Sequence, residues 1–297
     1  MIKRTFEDPN TLVCFTCSPG SLLKINFIRE KKAGIMNKKN IIITSGPTNE
    51  RIDSVMKITN MSTGKLGATV ADELLQEEEL GTLFYLSPKL AYKPKTQSDK
   101  LQLVTIESTL DLLKALRKII TDTKIYGMVH ASAVGDYYGE YTFTGEDLAA
   151  EIAKKLSSQQ LTEEEIKNKV LSIIENPEIL TDNTHKISSY EKNLMVKLGL
   201  TPKVIGEIKK LDPDILLIGF KLLDGVQKEE LLEVADKLRQ KNDADYIVAN
   251  NLAEIHNGMH KATILNKDGI YTECKTKQEI AKSLRKILFP PKISIIV

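Results

Sequence analysis

The chain is short of cysteine, of net charge and of long apolar runs. Three cysteines, Cys14, Cys17 and Cys274, are too few and too scattered for a disulfide framework. That points to a reducing, cytoplasmic compartment. No apolar run reaches the roughly 18 residues of a membrane-spanning helix, so a membrane partner is not expected. The 42 Lys+Arg and 40 Asp+Glu leave a formal charge of only +2. A dedicated nucleic-acid binder would carry a basic face, so the charge balance argues against that class. Neither GxGxxG nor GxxxxGK followed by Ser or Thr occurs. This counts against an ordinary nicotinamide enzyme and against a P-loop NTPase. What is present is ordinary: 41% hydrophobic and 28% charged over 297 residues, enough to bury a real core.

Residues 1–35 lack periodicity and are expected to be an irregular N-terminal extension. Their Cys14 and Cys17 form a CxxC with no second pair or histidines nearby, so they read as two thiols in a tail. From Met36 onward the pattern changes. Short β-branched runs at 41–44, 82–86, 101–106, 126–130, 215–220 and 246–249 read as strands. Helical spacing appears at 65–76, 110–120, 228–240 and 277–288. The segments 262–265 and 270–272 flank Asp268-Gly269 and read as a hairpin. Alternating strands and helices predict a Rossmann-like α/β fold. Its sheet is expected to be doubly wound and mostly parallel, with helices on both faces and a small β-hairpin. Ligands of such sheets sit beyond the carboxyl ends of the strands. The expected domain is 36–297, interrupted at 139–185 by a polar insertion with helical patterns at 146–156 and 162–174.

The richest stretch runs from Thr44-Ser45-Gly46-Pro47-Thr48-Asn49-Glu50-Arg51-Ile52-Asp53 to Asn60-Met61-Ser62-Thr63-Gly64-Lys65. A glycine turn after a strand, then Ser62 and Gly64 opening a helix, suit an anion. The free N–H groups and the helix dipole both favour phosphate there. Residues 130–138 follow another predicted strand. Ser132 and Ala133 are small enough to leave room for a ligand, and Asp136 is either a ligand for Mg²⁺ or a ligand hydroxyl, or a helix cap. His130 has no partner at metal spacing and is read as structural. Lys237 and Lys241 share a helix face and suit either a triphosphate or solvent. Phe220 suits either a nucleotide base or the core.

These motifs, with Lys186-Ile187-Ser188-Ser189, Thr201-Pro202-Lys203-Val204-Ile205, Gly219-Phe220 and 246–251, resemble the phosphopantothenate–cysteine ligases, in particular the stand-alone bacterial form. The resemblance covers about 38–288. It implies a ligase of coenzyme A biosynthesis that joins 4′-phosphopantothenate to L-cysteine. The substrate carboxylate first attacks the α-phosphorus of a nucleotide, and the cysteine amine then displaces the nucleoside monophosphate. By the same resemblance Asn60 and Lys186 are catalytic, and Asn60, Ser132 and Ala133 line the substrate site. Gly46, Ser62, Gly64, Asp136, Lys186, Pro202, Lys203, Val204, Ile205, Phe220, Lys237 and Lys241 are expected around the nucleotide. Asp136 is the expected Mg²⁺ ligand, CTP is expected ahead of ATP, and the active sites are expected to be shared in a homodimer. The flavin-dependent decarboxylase half found in fused members is not matched, and another chain is expected to supply that step.

The sequence departs from the family pattern at three places and in its 139–185 insertion, which is longer than the loop of fused members and is expected over the active site or at the dimer interface. Met56 stands where fused members have an arginine, with Arg51 or Lys57 able to compensate. Ser188-Ser189 replaces a lysine pair, and Asn251 replaces an aspartate. The competing classes are a Rossmann-like oxidoreductase and a nucleotide-binding module without chemistry.

Overall fold

The computed structural model describes the short strands 2–4 and 12–14, and residues 38–157 and 159–291. The chain forms two compact units, Met1–Met36 and Asn37–Val297. In the first, strands β1 (Ile2–Arg4) and β2 (Leu12–Cys14) pair antiparallel, with Ile2 opposite Cys14. A short ladder therefore stands where the sequence showed no periodicity. Cys17 lies outside the described residues.

The second unit is built on one sheet. Its parallel strands are β3 (Lys39–Thr44), β6 (Leu80–Ser87), β7 (Leu101–Thr105), β8 (Gly127–His130), β11 (Leu216–Leu223) and β12 (Tyr246–Asn251). The hairpin β13 (Ala262–Asn266) and β14 (Gly269–Cys274) adds two antiparallel edge strands. The sheet order is β14-β13-β12-β11-β8-β3-β6-β7. The chain thus winds outward from β3 through β6 and β7. It then returns to lay β8 on the other side of β3. Adjacent strands whose connections leave in opposite directions open a crevice at their carboxyl ends.

Apolar runs such as Ile41-Ile42-Ile43 form central strands because both faces of the sheet are covered. On one face Ile41, Ile43, Val129 and Ile218 pack with α1 (Lys65–Leu74) and α7 (Lys277–Leu288). On the other, Ile42, Met128, Leu217 and Ile247 pack with α2 (Thr109–Asp122), α5 (Ile205–Leu211) and α6 (Lys228–Lys241). The doubly wound α/β expectation is met, and the expected hairpin turns through Lys267-Asp268, with Gly269 opening β14 opposite Asn266.

Two features were not legible in the sequence. A small hairpin of β4 (Asn49–Arg51) and β5 (Lys57–Thr59) fills the stretch before Asn60. The polar insertion is also more than helical. Its helices α3 (Gly145–Leu156) and α4 (Glu163–Glu175) are bracketed by a twisted ribbon, β9 (Tyr137–Thr144) against β10 (Leu194–Leu200). Both helices start on threonine caps, Thr144 and Thr162, followed by acidic first turns that suit the dipole.

Helix α1 lies close to the end of β3 because Gly67 has no side chain. A Cβ there would stand 2.3 Å from Ser45 Oγ and 2.6 Å from Ser45 Cβ. Gly67→Ala is therefore expected to lower stability by about 1–3 kcal/mol, as overpacking does. Urea unfolding of the variant and the parent, compared at equal slope, measures this.

Candidate functional site

The site lies where β3 and β8 end side by side. Beyond β3 the chain turns through Gly46, whose φ of 76° is the left-handed conformation that glycine adopts without strain. Gly64, at φ 79°, caps α1 without any side-chain hydrogen bond. A Cβ on Gly64 would lie 3.2 Å from the Gly46 nitrogen, so the two glycines let these turns meet. Ser45 Oγ donates to the Gly64 carbonyl at 3.0 Å and joins them. Thr63 Oγ1 reaches the Lys65 N–H only at 3.4 Å, so Ser62 and Thr63 do not act as the helix cap. The first turn of α1 keeps donors facing outward, as an anion site needs.

Beyond β8 the loop 131–136 is the hub of the site. Ala133 N–H donates to the Gly46 carbonyl at 2.9 Å, and Pro47 bridges to Ala133 in parallel register. Asn60 Nδ2 donates to the carbonyls of Ala133, at 3.2 Å, and Val134, at 3.1 Å. These two carbonyls occupy Nδ2, and among the described residues Oδ1 accepts no hydrogen bond. Ser132 N–H donates to Thr44 Oγ1, while Ser132 Oγ is buried without a partner. Asp136 and Lys203 form an exposed ion pair, and Thr201 N–H donates to the Asp136 carbonyl at 3.0 Å. This ties the 202–205 loop to the hub.

A row of hydrogen bonds holds the hub from behind. Gly135 N–H donates to Thr48 Oγ1 at 2.8 Å, and the Thr48 and Thr109 hydroxyls are 3.1 Å apart. Thr109 gives both its N–H and its hydroxyl to Glu50 Oε1, at 2.8 and 2.7 Å. A backbone donor at one end and a carboxylate at the other orient both hydroxyls the same way. Glu50 is only 7% exposed and sits at the N-terminus of α2, where a carboxylate is favoured. Thr48, Glu50 and Asp53 stood in the motif without an assigned role. Thr201 likewise opened the 201–205 motif without a role, and Thr109 gave no local signal, because its partner Thr48 lies 61 residues away.

The remaining expected residues distribute as follows. Ile205 packs over Gly219, where a Cβ would stand 2.8 Å from Ile205 Cδ1. Gly206 lies against Asn242, which brings the 202–205 loop beside the end of α6 that carries Lys241. Lys237 is exposed and pairs with Glu233 on its own helix. Phe220 is partly buried on the α1 and α7 face of the sheet, the face opposite Ile205. Lys186 is exposed, and its neighbour Ile187 donates its N–H to Asp53 Oδ2 at 3.0 Å. Among the described residues no hydrogen bond joins Lys186 to Asn60. Asp53 is held below the usual carboxylate range, first by the Met56 N–H, then by those of Ile187 and Val55.

Two departures have structural explanations. Arg51 and Lys57 face each other across the β4–β5 pair, beside Met56. Asn251 accepts from Gly225 N–H and donates to the Val226 carbonyl at 2.8 Å, a pairing an aspartate cannot complete.

His130 is structural, as expected. Its Nδ1 lies 2.8 Å from Thr44 Oγ1, and burial pushes its pKa down to about 4.

A doubly wound sheet with a crevice at its strand-order reversal, lined by two left-handed glycines, a helix N-terminus and one carboxylate, defines a Rossmann-like α/β protein. The chain belongs to the family described as DNA/pantothenate metabolism flavoprotein, C-terminal domain, which matches residues 36–182 and 178–289. A solved DNA/pantothenate metabolism flavoprotein from Streptococcus pneumoniae is 33% identical, with a TM-score of 0.69, over 84% of this chain and 98% of that one. The coenzyme A biosynthesis bifunctional protein CoaBC of Thermococcus kodakarensis is 26% identical over 86% of this chain and 52% of its own length. The chain spans about half the length of such curated relatives. A Cab2 mutant in complex with phosphopantothenate–cysteine shares the fold at 14% identity and a TM-score of 0.57. No helix among the described residues is long and apolar enough to cross a membrane.

The buried imidazole gives a pH signature. An unfolded chain's histidine titrates near 6.5 and binds a proton that the folded His130 refuses until about pH 4. Stability is therefore complete above about pH 6.5 and is lost as pH falls toward 4, by on the order of 3 kcal/mol. His260, lowered to about 4 chiefly by burial, adds in the same direction. Denaturant midpoints at pH 7 and pH 4.5 should differ less in His130→Gln than in the parent.

Proposed function

We propose that the chain is a phosphopantothenate–cysteine ligase of coenzyme A biosynthesis. The observation that carries this reading is the convergence of Gly46, Asn60, Ser132–Ala133, Asp136 and Lys203 on one loop at the β3/β8 reversal. Membership of the family and the naming of its relatives support it.

In this reading a nucleotide lies with its phosphates over the Gly46 turn and the α1 N-terminus. Its base meets the 202–205 loop, whose backbone and Ile205 face it, and Lys241 closes the far side. The carboxylate of 4′-phosphopantothenate attacks the α-phosphorus. The bond to the β-phosphate oxygen breaks, and pyrophosphate leaves. The amine of L-cysteine then attacks the acyl carbon, loses a proton, and expels the nucleoside monophosphate. The chain's contribution is positioning and charge stabilisation. Asn60 Oδ1 accepts from the intermediate or from the incoming amine, and Lys186 offsets negative charge during transfer. Arg51 and Lys57 hold the substrate phosphate in place of the family arginine. Like charges opposed across a strand pair are unfavourable without an anion between them.

Among the described residues no group of three or more metal-ligating side chains exists. Asp136 alone still fits Mg²⁺, which takes one or two protein carboxylates and completes its shell with phosphate oxygens and water. When bound there, Mg²⁺ supplies neutralisation of the triphosphate charge. We take CTP ahead of ATP as the co-substrate.

We also read the protein as a homodimer. Tyr137 and Leu200 stand opposite each other on the β9–β10 ribbon, and both are exposed, with Leu198 beside them. A second copy of the chain covers this apolar ribbon. Leu200→Glu is expected to shift the sedimentation coefficient from dimer to monomer.

Pyrophosphate release with 4′-phosphopantothenate, L-cysteine and Mg²⁺, run with CTP and with ATP, tests the assignment. Release that depends on phosphopantothenate and is faster with CTP is the expected result. Release without it, or none from a folded protein, overturns the reading. Asn60→Asp sets a carboxylate against two carbonyls and should slow turnover by roughly 10²-fold with the fold intact. Circular dichroism alongside the rate measures both.

A further inference from the structure

The group that sets the position of Lys186 ends the 44–53 motif but has no role assigned to it in the reaction. We propose that Asp53 is a positioning residue, a latch that fastens the Lys186 segment to the hairpin carrying Asn60. This rests on the ligase reading for what Lys186 does, but the latch itself stands on geometry.

Asp53 lies in the turn between β4 and β5, and Asn60 follows directly after β5. The carboxylate is only 4% exposed. Its Oδ1 accepts from the N–H groups of Val55 and Met56, both at 2.6 Å, and these two bonds complete the local turn. Oδ2 is not needed for that turn. It accepts instead from Ile187, 134 residues away, at 3.0 Å.

The segment that receives this bond has little else to hold it. Between α4 and β10 the chain forms neither helix nor strand. Thr181 is pinned to Thr142 at one end, and Asn193 to Gly145 at the other. Among the described residues between them, hydrogen bonds are local, as in Asp182 with Thr184 and Ser188 with Tyr190, apart from the bond on Asp53. Ile187 is buried while Lys186 and Ser188 on either side are exposed. One buried residue and one backbone bond thus fix where the Lys186 side chain starts. The same carboxylate fixes the turn from which Asn60 is presented, so the two groups are held in register through Asp53.

Asp53→Asn tests this with little change of shape. The Asn carbonyl can keep Val55 and Met56, but its amide then meets the Ile187 N–H donor to donor. Asp53→Ser is the second variant: its hydroxyl can cap the local turn and cannot reach Ile187. Amide hydrogen exchange of peptides covering 182–192 is read in the full chain, with urea midpoints as the check on folding. Both variants are expected to exchange the Ile187 amide roughly tenfold faster, the ratio for loss of one hydrogen bond, with global midpoints near the parent's. Unchanged protection at Ile187 overturns the latch. Turnover is expected to fall in Asp53→Asn and to fall no further when Asp53→Asn is added to Lys186→Gln. Additive losses overturn the positioning role. A parent that releases no pyrophosphate overturns the ligase reading, and the exchange result still decides the latch.

Discussion

The site depends on the pairing of two strand ends. Residues 46–48 and 133 hydrogen bond across the β3/β8 reversal, and Asn60, Thr48 and the 201–203 segment attach to the loop at that junction. The pairing is possible because Gly46 and Gly64 turn left-handed within van der Waals reach of each other. The backbone of loop 131–136 is then exposed to partners from three directions. Asn60 comes from the small hairpin, Thr48 from beneath, and the 201–203 segment from the end of the ribbon. A single loop therefore holds groups that are far apart in sequence.

Buried polar groups do the holding, and each is paired. Thr44 meets His130, and Glu50 takes two donors from Thr109. Asp53 takes three backbone N–H groups. A buried polar group left unpaired costs about 1–3 kcal/mol, so these arrangements favour one geometry over its neighbours. Ser132 Oγ is the exception within the site, buried and without a partner. It stands on the hub where the resemblance puts the substrate. Orphaned polar atoms belong at ligand sites more than in cores.

The outer parts of the molecule follow a different logic. The ribbon and its two helices carry exposed charged faces and stand off the sheet. Lys155 binds both Glu151 and Glu178 there, and Lys197 binds Glu140. Glu151 is buried, while Lys155, Lys197 and Glu140 are half-buried. Their effect is to fix the excursion's shape, which places the Lys186 segment and the apolar ribbon surface.

The main-sheet strands from β3 to β14, apart from the ribbon and the small hairpin, were legible from apolar runs and turn residues, as were α1, α2, α3, α4, α6 and α7. That is so because burial on both faces writes itself locally into composition. The glycine turns, Asn60 and Asp136 were legible from motifs. The ribbon β9–β10 was not, since its strands are 50 residues apart and half exposed, so neither alternation nor length marks them. Phe220 illustrates the limit on single residues: its neighbours in sequence permit a base or a core, and only the fold shows which face of the sheet it lies on. The sequence by itself determined the fold class and the family, because periodicity and motif order are local properties of the chain. Only the tertiary structure decided that Glu50, Thr109 and Asp53 serve the same loop and hairpin, because the hydrogen bonds that join them span 59 to 134 residues and leave no local trace.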